Sequence, residues 1–271
     1  MIFIVVKSLM LMNKIAIISD IHSNIEALEV TLSKIDTLNI DCCVILGDLL
    51  TYGLYPNEVI ARLKLLQEEC KTVFIKGNHD QFYFDIQNNE NPFKYNMADF
   101  VKESIEWTSK KLNYKLAECF DWKEEFVFNN IYFAHANAFG YSNWKYLNEE
   151  STIIETANVL ENKGMKVGIF GHTHRPLNDL IAVKEDYCKK VSKSIYTYID
   201  SSVLILNPGS IGQPRGSSAS FMLLEVDTNQ VKFNKIELDI CINNIKSEIQ
   251  GSNLTQATKN KLCEYWKEIN D

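Results

Sequence analysis

The chain lacks an apolar run long enough for a membrane span, a Cys-x-x-Cys pair, an internal repeat and a Pro/Gly-rich linker. Each absence excludes something. A bilayer needs about 20 consecutive apolar residues. The opening run, MIFIVVKSLMLM, is too short for that. It also has no basic leader and no small-residue cleavage site, so it makes a poor signal peptide. Residues 1–12 read as an N-terminal extension, with 1–11 dispensable or a misassigned start. The cysteine count is odd, at seven, which argues against a disulfide framework or a Cys-based zinc site and fits a reducing cytoplasm. Adjacent Cys42 and Cys43 read as part of a buried strand, not as a redox pair. Basic charge is in deficit. The 28 Lys and Arg stand against 35 Asp and Glu, a net charge of -7. Such a surface repels nucleic-acid backbones, so duplex binding is not expected.

What is present suits one large soluble domain, or one domain with a modest appendage: 271 residues, 46% of them apolar. Short apolar runs alternate with helical patterns. Residues 14–19, 42–46 and 72–75 read as buried strands. Ile25, Leu28, Leu32, Ile35 and Leu38 recur at helical spacing, as do Val59, Leu63, Leu66 and Cys70 after Pro56. This alternation predicts βαβ units and a largely parallel start to a sheet. Residues 81–125 break the pattern. They read as a helical cap insertion without a clear strand, its best helix around Asp99–Leu116. Its aromatics (Phe82, Tyr83, Phe84, Phe93, Tyr95, Trp107) suit a base-stacking surface or the cap's own core, and the core is the better reading. Strands resume at 131–134, 167–170, 203–206, 220–226 and 231–238. Residues 183–194 are a charged hairpin or loop, and 239–271 a C-terminal appendage of short helices broken at Gly251-Ser252.

Histidine is scarce as well, and its placement is informative. All five histidines lie just past predicted strands. Asp20-Ile21-His22 follows the first strand and Gly47-Asp48 the second. Asn78-His79-Asp80 follows the third, His135 the fourth and His172-Thr173-His174 the fifth. In α/β sheets the ligand crevice lies outside the carboxyl ends of the strands. Scattered structural histidines have no reason to share that edge. Imidazole and carboxylate together suit first-row metals such as Mn, Fe, Co, Ni and Zn. The donor supply exceeds one tetrahedral ion and suits two divalent ions sharing a carboxylate, about 3.5–4 Å apart.

The runs DIHSN, GDLLTYG, GNHD, the strand ending in His135, GHTH and NPGSIGQPR resemble the calcineurin-like metallophosphoesterases in content and order. The likeness is greatest to the small bacterial phosphodiesterase or phosphatase branch, and it extends over about Lys14 to Leu238. It implies an α/β/β/α sandwich of two mixed sheets flanked by helices. It also implies that Asp20, His22 and His174 hold one metal and Asn78, His135 and His172 the other, with Asp48 as the bridge. His79 would lie beside the metals. The expected chemistry is hydrolysis of a phosphate monoester, diester or nucleotide by hydroxide shared between the metals, with His79 assisting the leaving group or the phosphoryl oxygens. Asn24 and Asp80 are expected to orient ligands or to cap loops. Arg215 is a candidate for substrate phosphate, while Arg175 suits a structural ion pair. Asn207–Ser210 is expected to support the site as a tight turn.

Two departures qualify the likeness. The run at the fourth strand is Ala134-His135-Ala136-Asn137, without the glycine that often follows this histidine. Thr51 and Tyr52 stand where phosphoprotein phosphatases carry an Asp-Arg pair, which argues against a dedicated Ser/Thr protein phosphatase. The alternative function is a non-catalytic adaptor that keeps the fold and binds through its surface.

Overall fold

Successive residues of the first strand are buried on opposite sides, and this sets the layering. Ile15 and Ile17 enter one apolar cluster while Ala16 and Ile18 enter another. A strand buried on both faces must lie between two layers. The computed structural model describes residues 14–94, 96–182, 187–191, 194–198 and 202–266, and the N-terminal extension, Tyr95 and much of the 183–194 excursion fall outside that set.

One sheet is built from β1 (Lys14–Ile18), β2 (Cys42–Ile45), β3 (Thr72–Ile75) and β4 (Trp122–Lys123), all parallel. The other sheet contributes β5 (Glu125–Phe128), β6 (Ile131–Ala134), β7 (Val167–Ile169), β8 (Leu177–Ala182), β9 (Tyr187–Lys190) and β11 (Ser202–Asn207). The first sheet is completed by β10 (Ile195–Thr197), β12 (Ser220–Val226) and β13 (Gln230–Glu237). The strand orders are β10-β13-β12-β1-β2-β3-β4 and β5-β6-β7-β11-β8-β9. Both sheets are mixed. In the second, β6, β7 and β11 run parallel and β5, β8 and β9 join antiparallel.

Between the sheets lie Ile15, Ile17, Val44, Phe133, Ile169 and Leu204. The outer face of the first sheet carries α1 (Ile25–Asp36), α2 (Pro56–Glu69), α3 (Asn78–Gln87) and α4 (Asp99–Lys111). The outer face of the second carries α5 (Glu150–Asn162), through Ile153, Ala157 and Leu160. This is the expected α/β/β/α arrangement. The helices start where local chemistry favours it. Asn24 caps α1 by accepting from the Ala27 amide at 3.0 Å. Pro56 opens α2, where its missing N–H costs nothing. Cys42 and Cys43 enter different clusters, as neighbours on a strand must, and are free thiols.

The 81–125 region differs from expectation in one respect. It carries strand β4, which pairs with β3. Tyr83, Phe84, Ile105 and Leu116 sit in the same apolar cluster as β1 and β2, which favours the core reading of its aromatics. The 183–194 stretch was expected to be a charged hairpin or loop, and within it β9 pairs antiparallel with β8. Two helices, α6 (Ile242–Gly251) and α7 (Gln256–Cys263), follow β13. They bury Ile245, Ile249 and Leu262 against Tyr52, Phe100 and Trp107. Among the described residues no helix is long and apolar enough to cross a membrane.

Candidate metal centre

The parallel strands deliver their loops to one edge, and backbone hydrogen bonds stitch these loops together. Asp20 donates to the Gly47 carbonyl at 3.1 Å and His22 to that of Asp48 at 3.0 Å. Gly171 donates to the carbonyl of His135 at 2.7 Å, which ties the ends of β6 and β7. Gly212 donates to the carbonyl of Asp20 at 3.0 Å. The last contact is so close that a methyl group on residue 212 would overlap the Ile21 carbonyl. Gly212→Ala should therefore destabilise the protein by about 1–3 kcal/mol through overpacking. A lower denaturant midpoint with an unchanged slope would show it.

The loops are conformationally strained. Asp20, His22, Ser23, Asp48, Thr51, Tyr52, His172 and His174 all have positive φ, between 48° and 81°. Non-glycine residues rarely occupy this region, and each costs roughly 1–3 kcal/mol. So many at one edge mark a place where side-chain direction outweighs backbone comfort.

Those side chains converge. His22 Nε2 and His174 Nε2 are 3.0 Å apart. His174 Nε2 lies 3.4 Å from Asp20 Oδ1, and His22 Nε2 lies 3.9 Å from Asp48 Oδ2. His135 Nε2 lies 3.3 Å from that same Asp48 oxygen and 3.1 Å from Asn78 Oδ1. Donor atoms of Asp20, His22, Asp48 and His174 fall within 4.8 Å of one another, as do those of Asp48, His135 and His172. Asp48 belongs to both groups. His22, His135 and His174 thus share one neighbourhood around Asp48.

Each imidazole is oriented by a carbonyl. Nδ1 of His22, His135 and His174 donates to the carbonyls of Leu50, Leu46 and Gln213 at 3.0, 2.7 and 2.6 Å. His172 uses the other nitrogen, donating Nε2–H to Trp144 O at 3.0 Å. A carbonyl only accepts, so the second ring nitrogen of each faces inward. The carboxylates divide their work likewise. Asp20 Oδ2 accepts from Ser19 Oγ at 2.6 Å and from the His172 amide at 3.1 Å, while its buried Oδ1 has no partner. Asp48 Oδ1 accepts from the His79 amide at 2.8 Å, while its buried Oδ2 faces His135 Nε2 at 3.3 Å.

Electrostatics follow from burial. It pushes His22 and His174 well below the usual imidazole range and His172 down to about 3. These rings are neutral and their inward nitrogens bare. Burial lifts Asp20 to about 7. It would lift Asp48 too, but the surrounding His135, His79 and His22 hold that carboxyl well below its ordinary value. Burial opposes charge on His135, yet the Asp48 carboxylate beside it raises this histidine to about 9. Two bare lone pairs 3.0 Å apart, beside the unpartnered Asp20 Oδ1 and close to Asp48 Oδ2, form an uncompensated cage. A divalent cation supplies what is missing, so the residues fit the group.

The remaining expected residues are also placed. His79 lies in the first turn of α3 with its ring 5.1 Å from that of His22. Burial pushes it down to about 4, so its ring is neutral near pH 7. Asp80 accepts from the amides of Asp48, Leu49 and Gly77 at 2.8, 3.0 and 2.8 Å and so fixes the Asp48 loop. Asn24, besides capping α1, donates to Gly212 O at 3.3 Å. Asn207 donates to Gly171 O at 2.7 Å and to Thr173 Oγ1 at 3.1 Å, so it supports the His172 loop. Arg215 reaches the edge of the cluster. Its amide donates to His174 O at 3.2 Å, its guanidinium lies over the Tyr265 ring at 5.3 Å, and its buried Nε has no partner. Arg175 is exposed.

Three neighbours were not among the expected site residues. Tyr146 stacks on His172, ring centroids 4.1 Å apart, from a loop without a motif. Thr51 and Tyr52 were noticed only as departures, yet their hydroxyls lie 3.0 and 3.3 Å from the two ring nitrogens of His79.

A sandwich of two mixed sheets with an aspartate–histidine cluster at the strand ends defines the calcineurin-like phosphoesterase class. The chain belongs to that superfamily, whose domain matches residues 12–229. An uncharacterized protein of Methanocaldococcus jannaschii is 30% identical over 238 residues, which cover 85% of this chain and 90% of that one. A metallophosphoesterase from Sphaerobacter thermophilus shares the fold with a TM-score of 0.69 at 23% identity, over 93% of this chain and 99% of that one. A hypothetical protein from Pyrococcus horikoshii OT3 does so with a TM-score of 0.70 at 21% identity, over 92% and 97% of the two chains.

Proposed function

We propose that the protein hydrolyses small phosphate esters with the help of two divalent transition-metal ions. The observation that carries this is the facing pair of bare nitrogens on His22 and His174, set beside the unpartnered Oδ1 of Asp20 and close to Oδ2 of Asp48. Asp20, His22 and His174 would hold one ion, and Asn78, His135 and His172 the other, with Asp48 serving both. When bound, such ions activate water near neutral pH and neutralise phosphate oxygens. The chain supplies the rest. Carbonyl-anchored imidazoles and the divided carboxylates fix the ligand geometry before any substrate arrives. His79, neutral and beside the cluster, would offer an N–H to the phosphoryl or leaving oxygen. Arg215 would add a fixed positive charge for a phosphate oxygen. The sunken site and the net charge of -7 favour a small ester over a nucleic-acid duplex or a membrane surface. Free cysteines suit a reducing compartment, so we place the protein in the cytoplasm.

The test is a panel of nitrophenyl phosphate, bis(nitrophenyl) phosphate and nucleotides, with Mn, Fe, Co, Ni or Zn added. Elemental analysis of the purified protein should run beside it. Turnover and close to two metal equivalents per chain are expected. No bound metal and no turnover would favour an adaptor.

Metal uptake also carries a pH signature. Ligation needs Asp20 and His135 deprotonated, and in the metal-free protein they titrate near 7 and 9. Binding at pH 7 should thus release about one to two protons, and affinity should rise with pH through that window. Calorimetry in two buffers of different ionisation enthalpy counts those protons. A count of zero at pH 7 contradicts the assignment of these two ligands.

A further inference from the structure

The ring of His79 is held from both sides by hydroxyl groups. Nδ1 lies 3.0 Å from Thr51 Oγ1, which itself lies 2.7 Å from the buried hydroxyl of Tyr83. Nε2 lies 3.3 Å from Tyr52 OH. Thr51 and Tyr52 reach these positions only because both adopt left-handed backbone, with φ of 81° and 67°. A β-branched and an aromatic residue are poor choices for that conformation. The turn is locked by Gly53, whose amide donates to the carbonyls of His22 and Thr51 at 2.9 and 2.8 Å.

Tyr52 is held from outside as well. Its ring lies 4.7 Å from His22 and 5.0 Å from His79, and it stacks on Phe100 of α4 at 6.0 Å. Its remaining apolar neighbours include Ile245 and Ile249 of α6 and Leu262 of α7. Glu103 of α4 secures α7 by accepting from the Thr255 amide at 2.7 Å and from the Thr258 hydroxyl.

We propose that Thr51 and Tyr52 are positioning residues that set the orientation and tautomer of His79, and that the two C-terminal helices belong to the active site because they hold Tyr52. The role of His79 rests on the phosphoesterase reading above. A carboxylate in the place of Thr51 would accept from Nδ1–H and leave Nε2 bare unless the ring were charged. A hydroxyl both donates and accepts. With Tyr83 O–H on Thr51 Oγ1 and Thr51 O–H on Nδ1, the single proton of the neutral ring sits on Nε2. That proton faces Tyr52 OH, from which it can move to a substrate oxygen. Reversing the chain would leave Nε2 without a proton to give. The direction of this relay decides whether His79 can serve the leaving group.

The test compares Thr51→Val, Thr51→Ser and Tyr52→Phe in the full chain. Manganese-loaded protein is assayed on aryl phosphates of graded leaving-group pKa. Thr51→Val should lower kcat on the poorest leaving group by about 10–100-fold. KM and metal content should hardly change, and the best leaving group should lose far less. Thr51→Ser should recover most of the loss. Tyr52→Phe keeps the packed ring, should show the same leaving-group dependence in milder form, and decides the matter if Thr51→Val does not fold. Independently of turnover, imidazole ¹⁵N NMR of the metal-free chain should show the His79 proton on Nε2 and a mixture of tautomers in Thr51→Val. An equal loss across all leaving groups without rescue by serine, or an unchanged tautomer, overturns the proposal. If wild-type protein turns over no ester with any metal, the phosphoesterase reading fails, while the NMR signal still decides whether Thr51 sets the tautomer.

Discussion

Asp48→Asn is expected to empty both halves of the metal centre together and to lower phosphoesterase activity by about 10³-fold or more. The reasoning begins with geometry. Asp48 is 1% exposed, and its Oδ1 is committed to the His79 amide at 2.8 Å. Only Oδ2 remains for ligation, and it stands between His22 at 3.9 Å and His135 at 3.3 Å. An asparagine keeps the shape but loses the charge. It must also point its NH2 either at the His79 amide, donor against donor, or into the cluster where an acceptor is needed. Neither arrangement restores a bridge. Two-metal sites stabilise the transition state by several kcal/mol, and each 1.36 kcal/mol is about tenfold in rate. His22→Ala offers the contrast. It removes a donor from one group alone, so about one equivalent should survive in elemental analysis. The melting temperature measured with added metal should follow the same order, since ligand binding stabilises only the folded chain. Metal content and turnover that persist in Asp48→Asn would contradict a shared carboxylate.

The parts of the structure legible in the sequence share a physical cause. Residues 15–18 and 42–45 are continuous apolar runs because both faces of those strands are covered. The α1 stripe appears at helical spacing because Leu28, Leu32 and Ile35 face one cluster. The histidines stood out because the ends of parallel strands share an edge, whatever the details of the fold. What stayed hidden depends on partners distant in the chain. The β9 segment, Tyr-Cys-Lys-Lys, is mostly exposed and charged, which left a hairpin and a loop both open until its pairing with β8 made it a strand. The two-residue β4 exists only as an edge added to β3. Its sequence offers no alternation to detect. Thr51 and Tyr52 looked like losses relative to an Asp-Arg pair. Their contact with His79 arises from left-handed backbone at both residues, which residue type alone does not forecast. The C-terminal helices were readable as helices, but their packing on Tyr52 was not.

His79→Ala separates chemistry from metal binding, because the two depend on different parts of this residue. The contact with Asp48 is made by the His79 backbone amide, at 2.8 Å, and alanine retains that amide. The Asp48 carboxylate should keep its orientation, and metal content should stay at the wild-type value. What is lost is the imidazole that sits edge-on to His22 and Phe82, with centroid distances of 5.1 and 5.2 Å. Removing a positioned proton donor typically costs about 10²-fold or more in kcat. The loss should fall on kcat, since a group used in the transition state contributes little to ground-state binding. It should also shrink for esters whose leaving group departs without a proton. Burial keeps the ring neutral down to about pH 4 in the metal-free protein. Its contribution is therefore an N–H of the neutral imidazole, and the ratio of wild-type to variant rates should be flat between pH 6 and 8. A ratio near one across all esters would take His79 out of the mechanism and leave the metal centre to act alone. A fall in metal content matching the fall in rate would show that the ring supports the cluster instead of serving the substrate.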